Sequence, residues 1–520
     1  MKITLASSDY AVLLLYVVAL LATGFYLNSR NKAAGKDIFL GGRSLSWWQI
    51  GFSLFSANAG PSMLVGFASI GFTQGMVGSN FEWLAWFFIF LMSMFFLPHY
   101  ISTKVYTMPQ FLLARFGKPS YNFLVGYSLI SILIVWLGCA LYAGGLIISQ
   151  IFDIPLMQAV AVVALIAASF TAVGGLKAVV RTGIFQSAII ILSSIILVYL
   201  ALRKAGGVQA LVEAAPGSYW QLFRPASDPE YSWVAMVLGY PVVGIYYWCT
   251  DQTIVQKVLA GKSMKEGQYG AIFISALKIL MPFIFIFPGI ICYVLYKDIA
   301  QPDNAYITLV SQVMPHGFLG LCIAALIAAL IDTVSSGLNS FSTVLTLDVL
   351  ARFREMDETA KRTTGRWTTL LAAVLAVGVA WVFSRSGKGF FELSQGMVSI
   401  LAPPLSVVFV GGIAWKRVNR QAAETVLYGG GLICLVVGVC HVLSFPSKEF
   451  WPHFMLLSFY LFVAMAVVLV AVTLLTKPPA VQALPSISES WRRGGRTSMG
   501  VWVSWGLLAA VMIAIYLYFA

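Results

Sequence analysis

The sequence predicts an all-α integral membrane protein with about fourteen transmembrane helices. Of the 520 residues, 59% are hydrophobic and only 10% are charged, whereas soluble domains usually carry about 25% charged residues. A mean hydropathy of +0.86 excludes a surface that faces water alone, so much of the surface must face the lipid bilayer. Apolar stretches of about 20 residues, long enough to cross a hydrocarbon core of about 30 Å, recur along the whole chain.

The fourteen stretches that we interpret as spans are distributed evenly through the sequence. They lie near 9–27, 46–70, 80–98, 122–150, 155–174, 183–202, 232–256, 268–296, 316–347, 367–384, 393–415, 424–444, 452–475 and 500–519. The first stretch is long enough to span, and its basic residues mostly follow it, so we interpret it as a retained helix rather than a cleaved signal.

The basic residues test this arrangement, because cytoplasmic loops of membrane proteins are enriched in Lys and Arg. Of the 33 Lys and Arg residues, 24 lie in connections after odd-numbered spans, 8 lie on the opposite side and one, Lys278, lies within a span. This asymmetry predicts a multi-pass protein of the plasma membrane (the inner membrane if bacterial) with both termini outside. It also accounts for the net charge of +13 without a nucleic-acid partner.

Two spans contain residues that interrupt helices. In span 2, Pro61 lacks a backbone N–H and follows Gly60, a poor helix former; for this span alone, an ordinary proline kink is the alternative. Span 7 carries Gly239, Pro241 and Gly244. Interrupted spans at corresponding positions of two halves indicate a transporter's binding site. Spans 2–6 and 7–11 supply such halves, and five spans each would give them opposite orientations.

Three ionisable residues, Glu82, Lys278 and Asp332, lie within spans, where charges are costly and usually functional. A structural Glu–Lys pair is the alternative for the first two. Asp332 begins a polar stripe on span 9 that continues through Ser335, Ser336 and Asn339. Hydroxyl groups alone can serve as packing contacts between helices, whereas a carboxylate beside freed carbonyls suits a hard cation.

An enzyme or a transport-fold sensor is disfavoured. The His and Cys residues are scattered, and we find no paired carboxylates of the kind that would form a catalytic constellation. No stretch outside the spans is long enough to hold a signalling domain with its own core. The sequence therefore predicts a transporter rather than an enzyme.

A series of specific motifs is spread over nearly the whole chain. They are Phe39–Ser44, Glu82-Trp83, Tyr106–Phe111, Arg115-Phe116, Tyr246–Trp248 with Gln252 and Gln256, Lys278 with Pro282 and Pro288-Gly289, Leu338–Ser340, Thr346–Asp348, Gln395, Pro403 and Trp415-Lys416. On these motifs the chain resembles the sodium:solute symporter family, on its sodium/glucose cotransporter branch. The resemblance implies a five-plus-five inverted-repeat core and sodium-driven uptake by alternating access. The expected parts are an extra N-terminal helix and basic loop (1–45), a first repeat (46–205), a second repeat (206–417) and C-terminal helices (418–520).

The resemblance also implies two sets of site residues. The family's sodium site falls on the backbone of Ser56 and Ala59, the carbonyl of Ala329, and the side chains of Asp332 and Thr333. Its solute contacts fall on Glu82, Tyr247, Lys278 and Gln395. Sodium is then the coupling ion, and the expected partners are sodium, a small polar solute and the bilayer.

Several positions depart from the family pattern. A small hydroxyl residue is usual at Asp332, and an acidic residue is usual at Gly183, so an acid is missing from span 6 and present in span 9. We expect a proton to compete with sodium for Asp332; a purely structural role in a salt bridge or in hydrogen bonds with hydroxyls is the alternative. Met63, Ala85 and Gly244 replace polar residues of sugar transporters, which implies a different pose for the solute.

The predicted function is cation-coupled uptake, most simply with sodium, of a sugar, a polyol or a sugar-like acid. The alternative is proton-coupled or sodium-coupled transport of a carboxylate or vitamin-like solute.

Overall fold

The computed structural model describes residues 5–30, 42–228, 231–385, 390–447, 450–479, 489–490 and 497–519. Helices account for the regular structure of these residues, and no β-strand occurs among them beyond two isolated bridges. In the first half, the helices are α1 (Ser7–Arg30), α2 (Trp47–Asn58), α3 (Pro61–Gln74), α4 (Asn80–Trp83), α5 (Ala85–Leu91), α6 (Leu97–Ser102), α7 (Met108–Phe116), α8 (Lys118–Ser131), α9 (Cys139–Phe152), α10 (Leu156–Lys204) and α11 (Val208–Ala214).

The second half continues in the same way. Its helices are α12 (Trp233–Gly244), α13 (Gln252–Leu259), α14 (Met264–Phe285), α15 (Phe287–Leu295), α16 (Ala305–Val313), α17 (Phe318–Val344), α18 (Ala351–Phe353), α19 (Glu358–Ser384), α20 (Phe390–Ala414), α21 (Arg420–Glu424), α22 (Gly431–Val442), α23 (Phe454–Leu475) and α24 (Met499–Tyr518). Wider π-helical turns join several of them, including Ile132–Gly138 between α8 and α9 and Ile245–Thr250 after α12.

The prediction of an all-α membrane protein is confirmed, while the count of fourteen spans stays a prediction. Among the described residues, eleven helices are long and apolar enough to cross a membrane, and the apolar segments Ser7–Ala19 and Leu156–Ser169 are shorter. Spans 5 and 6, which are predicted as separate stretches, lie in one continuous helix, because α10 remains helical through 49 residues. At about 1.5 Å per residue, it is more than twice as long as one crossing needs.

The break in span 2 is confirmed. Helix α2 ends at Asn58, Gly60 is extended with ψ 171°, and Pro61 opens α3. Proline fits the first position of a helix because the N–H that it lacks would have no partner there. Pro61, which could not continue α2, therefore begins α3.

The break in span 7 occurs later than Gly239, Pro241 and Gly244 suggest. Helix α12 runs through Pro241, and helical structure continues to Thr250. Asp251 is extended with φ −71° and ψ 129°, and its side chain accepts a hydrogen bond from the Thr253 N–H at 2.8 Å, which caps α13. A carboxylate is a favourable helix cap, so the aspartate that ends the aromatic run also starts the next helix.

Helix α17 is buried along almost its whole length and packs against α1, α2, α10 and α19. Its small residues, among them Ala324, Ala325, Ala328 and Ala329, allow neighbouring backbones to approach closely. The polar stripe that begins at Asp332 therefore faces other helices. This packing brings Asp332 and Thr333 to the first break.

Candidate functional site

One cavity is bordered by residues from both interrupted spans. Its empty space, counted with the open mouth, is about 870 Å³. Asn58 and Gly60 border it at the first break, and Gly244 and Tyr247 border it from the second interrupted span. The structure also brings together the four residues predicted to contact the solute: Glu82, Tyr247, Lys278 and Gln395.

Glu82 and Lys278 form a buried ion pair at the wall of this cavity. Glu82 Oε2 lies 2.5 Å from Lys278 Nζ, and each side chain is only 2% exposed. The ammonium also donates to Asn58 Oδ1 and lies 4.9 Å from the centre of the Trp248 ring. Because an ammonium without partners would be costly here, these contacts explain how a lysine can be buried within α14.

Asn58 extends this network across the cavity to the aromatic residues. Its Nδ2 donates to the Tyr247 hydroxyl at 2.9 Å, and the Tyr247 ring stacks on Trp136 with centroids 5.5 Å apart. Trp136 Nε1 in turn donates to Asp251 Oδ2 at 3.1 Å. A continuous series of contacts therefore links the end of α2 to the start of α13, so a solute that moves Tyr247 would act on both breaks.

Gln395 borders the cavity from α20 and is half-buried. It gives the cavity an amide that can both donate and accept hydrogen bonds. Gln395 is uncharged, so its replacement leaves no buried charge without a partner, whereas a replacement of Glu82 does.

We expect Gln395→Ala to reduce solute uptake about fivefold to tenfold while leaving the amount of folded protein unchanged. The loss corresponds to about 1 kcal/mol, the usual net contribution of a hydrogen bond. Initial rates in proteoliposomes, normalised to reconstituted protein, measure the effect. Gln421→Ala, on the exposed side of α21, is the matched control. Unchanged uptake in Gln395→Ala would remove this residue from the site.

The first break frees backbone carbonyls where the cation site is predicted. The Gly60 N–H donates to the Asn58 carbonyl at 2.8 Å and not to Ser56, and the Met63 N–H donates to Gly60 at 2.9 Å and not to Ala59. The carbonyls of Ser56 and Ala59 thus lose their usual helical donors. In a membrane protein, carbonyls without donors persist where they line a cavity or bind an ion.

Thr333 lies directly against this break. Its hydroxyl donates to the Ala57 carbonyl at 3.3 Å, and a Cβ at Gly60 would lie only 2.7 Å from Thr333 Oγ1. Glycine at position 60 therefore permits the close approach of α17. Ala329, one turn earlier on α17, is fully buried.

Asp332 is buried beside the same break, with 1% of its surface exposed. Neither carboxylate oxygen makes a hydrogen bond with standard geometry, although the Ser56 hydroxyl and the charge of Lys257 lie close to it. The nearby Ser56 hydroxyl is the hydrogen-bond partner that the structural alternative would require. A buried carboxylate with oxygens available is a suitable ligand for a hard cation.

Gly183 of α10 provides the space for this carboxylate. A Cβ at position 183 would lie 2.5 Å from Ser56 Oγ and 2.9 Å from Asp332 Oδ1. Any side chain at position 183 would therefore compete with Asp332 for the same volume. The two positions at which the resemblance implies a departure are therefore neighbours in the structure.

Sequence reasoning missed Asn58 and misplaced Lys257. Asn58 could have been found, because it is a polar residue immediately before the Gly60–Pro61 break. Lys257 directly follows span 7 and is one of the 24 basic residues predicted to lie in cytoplasmic connections, but it is 1% exposed and lies among α2, α13 and α17. Its burial comes from tertiary packing, since every residue of α13 is buried.

Comparisons with known proteins identify the family to which the chain belongs. The sodium:solute symporter family model matches residues 38–430. Sodium/glucose cotransporter 1 of Ovis aries is 30% identical, with 91% of this chain and 79% of that protein covered. Sodium/myo-inositol cotransporter 2 of Bos taurus is 31% identical over 92% and 78% of the two chains.

A solved structure shares the fold. An outward-open, substrate-bound Na⁺-coupled sialic acid symporter superposes with a TM-score of 0.80 at 21% identity, with 92% of this chain and 99% of that chain covered. With the family match extending from before the first break to beyond α20, the chain is a member of the sodium:solute symporter family.

Proposed function

We propose that this protein takes up a neutral sugar or polyol together with sodium, by alternating access. The observation that carries the proposal is a cavity in which the ion pair, Asn58 and Gln395 offer polar groups beside the stacked Tyr247 and Trp136 rings. Polyhydroxylated solutes match this combination, since their hydroxyls donate and accept hydrogen bonds and their C–H faces pack on aromatic rings. The cotransporter relatives support the same class of solute.

The charge of the cavity favours a neutral solute over an acidic one. Among the described residues that border it, Lys278 is the only cation and Glu82 the only anion, and the two are paired at 2.5 Å. A solute carboxylate would have to compete with Glu82 for the ammonium, and it would add an uncompensated negative charge to a buried site. A sugar-like acid is therefore the less favoured member of the predicted solute class.

Sodium is the coupling ion that the proposed cation site favours. The carbonyls of Ser56 and Ala59, the Thr333 hydroxyl and the Asp332 carboxylate are all oxygen ligands, which hard cations prefer. The Asp332 carboxylate also supports the alternative of proton coupling, because a buried acid can carry a proton in place of a metal ion.

The orientation in the membrane and the repeat boundaries extend the proposal. We place the basic connections in the cytoplasm and both termini outside, with repeats at 46–205 and 206–417. The charge asymmetry of the sequence supports this orientation even without Lys257, which the structure removes from the loop residues. Cysteine labelling of single-cysteine variants at exposed loop positions would test it.

Uptake into proteoliposomes tests the function directly. We expect a sodium gradient to drive accumulation of a labelled neutral hexose or cyclic polyol, and an equal potassium gradient to drive none. The matched hexuronic acid, which differs by one carboxylate, should compete at least about tenfold more weakly. Equal competition by the acid would overturn the neutral-solute assignment, and accumulation driven only by a pH gradient would replace sodium by the proton.

A further inference from the structure

Lys257 lies buried next to the proposed cation site. Its Nζ donates to the Ser53 carbonyl at 2.8 Å and to Ser336 Oγ at 3.0 Å. Ser53 precedes Ser56 by one turn of α2, and Ser336 follows Asp332 by one turn of α17. The ammonium therefore joins the two helices that supply the cation ligands, one helical turn away from those ligands.

Asp332 and Lys257 are the charged groups that face each other at this point. Their charges interact across the site, but no contact within 4.0 Å is formed between them among the described residues. Among the described residues, the other groups near Asp332 are uncharged: the Tyr16 hydroxyl from α1, the Ser56 hydroxyl from α2, and Gly183 from α10. The ammonium is held by neutral oxygens, while the carboxylate oxygens remain available.

This arrangement gives Asp332 two possible positive partners. A buried carboxylate without compensation is costly, and in the absence of a bound cation Lys257 is the positive charge that can compensate it. A cation that binds Asp332 adds a second positive charge close to the ammonium and is opposed by it. Lysine has a flexible four-carbon stem and three donors, so its ammonium can shift between neutral oxygens and a carboxylate.

Resting on the function proposed above, we infer that Lys257 is a tethered counter-ion that competes with the coupling cation for Asp332. When the cation leaves, the ammonium moves to the carboxylate and keeps the empty site neutral while the transporter returns. When the cation binds, the ammonium is displaced to Ser53 and Ser336, where the structure shows it. Lys257 is thus a positioning residue that sets how readily the cation is released.

The test is the sodium response of Lys257→Gln in the full-length protein. Glutamine keeps a donor for the Ser53 carbonyl but removes the charge. We expect the sodium concentration for half-maximal thermal stabilisation of purified protein to fall at least about tenfold, which corresponds to about 1.4 kcal/mol. The sodium dependence of uptake should shift in the same direction, with slower turnover because the cation leaves more slowly.

Two further variants serve as controls for charge. Lys257→Arg keeps the charge and should respond to sodium within about threefold of wild type. Lys265→Gln removes an exposed charge from the next helix, α14, and should change nothing. In an Asp332→Asn background, Lys257→Gln should have no further effect, because there is no carboxylate to compete for.

The possible outcomes distinguish this inference from the proposed function. Wild-type protein without any sodium response would contradict the coupling ion itself. If the wild type responds to sodium but Lys257→Gln needs the same or a higher sodium concentration for half-maximal stabilisation, the counter-ion role is overturned. If Lys257→Gln unfolds in low sodium but folds in high sodium, the inference is supported, because sodium then replaces the missing charge. A variant that stays unfolded at saturating sodium contradicts it.

Discussion

Uptake is expected to fall below detection in both Glu82→Gln and Lys278→Met, together with most of the folded protein. Each substitution removes one partner of an ion pair that is 2% exposed on both sides, so the remaining group is left buried and uncompensated. Breaking such a pair costs about 3–5 kcal/mol, a large part of the total stability of a typical domain. Thermal unfolding of detergent-solubilised protein measures the loss.

The double variant Glu82→Gln/Lys278→Met separates stability from transport. It removes both charges at once, so it should recover most of the folded protein but still not bind the solute. The exposed pair Lys361–Glu358, at 2.9 Å, is the matched control. Surface ion pairs contribute only about 0–1 kcal/mol, so Glu358→Gln should be nearly silent. A double variant with wild-type uptake would show that this pair is structural alone.

Features fixed by local chemistry could be predicted from the sequence. Pro61 cannot donate a hydrogen bond and follows a glycine, so a break at that point follows from two adjacent residues. The sequence also indicated that Glu82, Lys278 and Asp332 are special, because charges within apolar spans need compensation. Resemblance to the family then grouped Glu82 and Lys278 with Tyr247 and Gln395 before any geometry was known.

Features fixed by tertiary contacts could not be predicted in this way. Lys257 follows an interrupted span like an ordinary loop lysine, and only the packing of α13 between α2 and α17 buries it. Pro241 resembles a helix breaker, yet α12 continues through it and the chain leaves the helix at Asp251. The missing acid at Gly183 and the added acid at Asp332 are 149 positions apart, and only the structure shows that they share one space.

Because positions 183 and 332 share one space, we expect that the carboxylate can be moved from α17 to α10. Asp332→Ser removes a charged cation ligand and should weaken apparent sodium affinity about 10-fold to 150-fold. This range corresponds to the free energy of about 1.5–3 kcal/mol that a contact to a charged group contributes. Gly183→Asp alone should also lose affinity, because its side chain would crowd Ser56 Oγ and Asp332 Oδ1 and place two carboxylates together. Gly183→Asp/Asp332→Ser should return to within about tenfold of wild type.

The pH dependence of sodium-driven uptake distinguishes a cation ligand from a packing residue. A proton on Asp332 removes the charge that binds sodium, so apparent sodium affinity in wild type should weaken as pH falls. Asp332→Ser should flatten this dependence, and the double variant should restore it from α10, with Lys257 and Tyr16 unchanged around the site. If Asp332→Ser keeps both the sodium affinity and the pH response of wild type, the carboxylate does not bind the coupling ion. If the double variant folds but stays as weak as Asp332→Ser, the two positions do not serve one site.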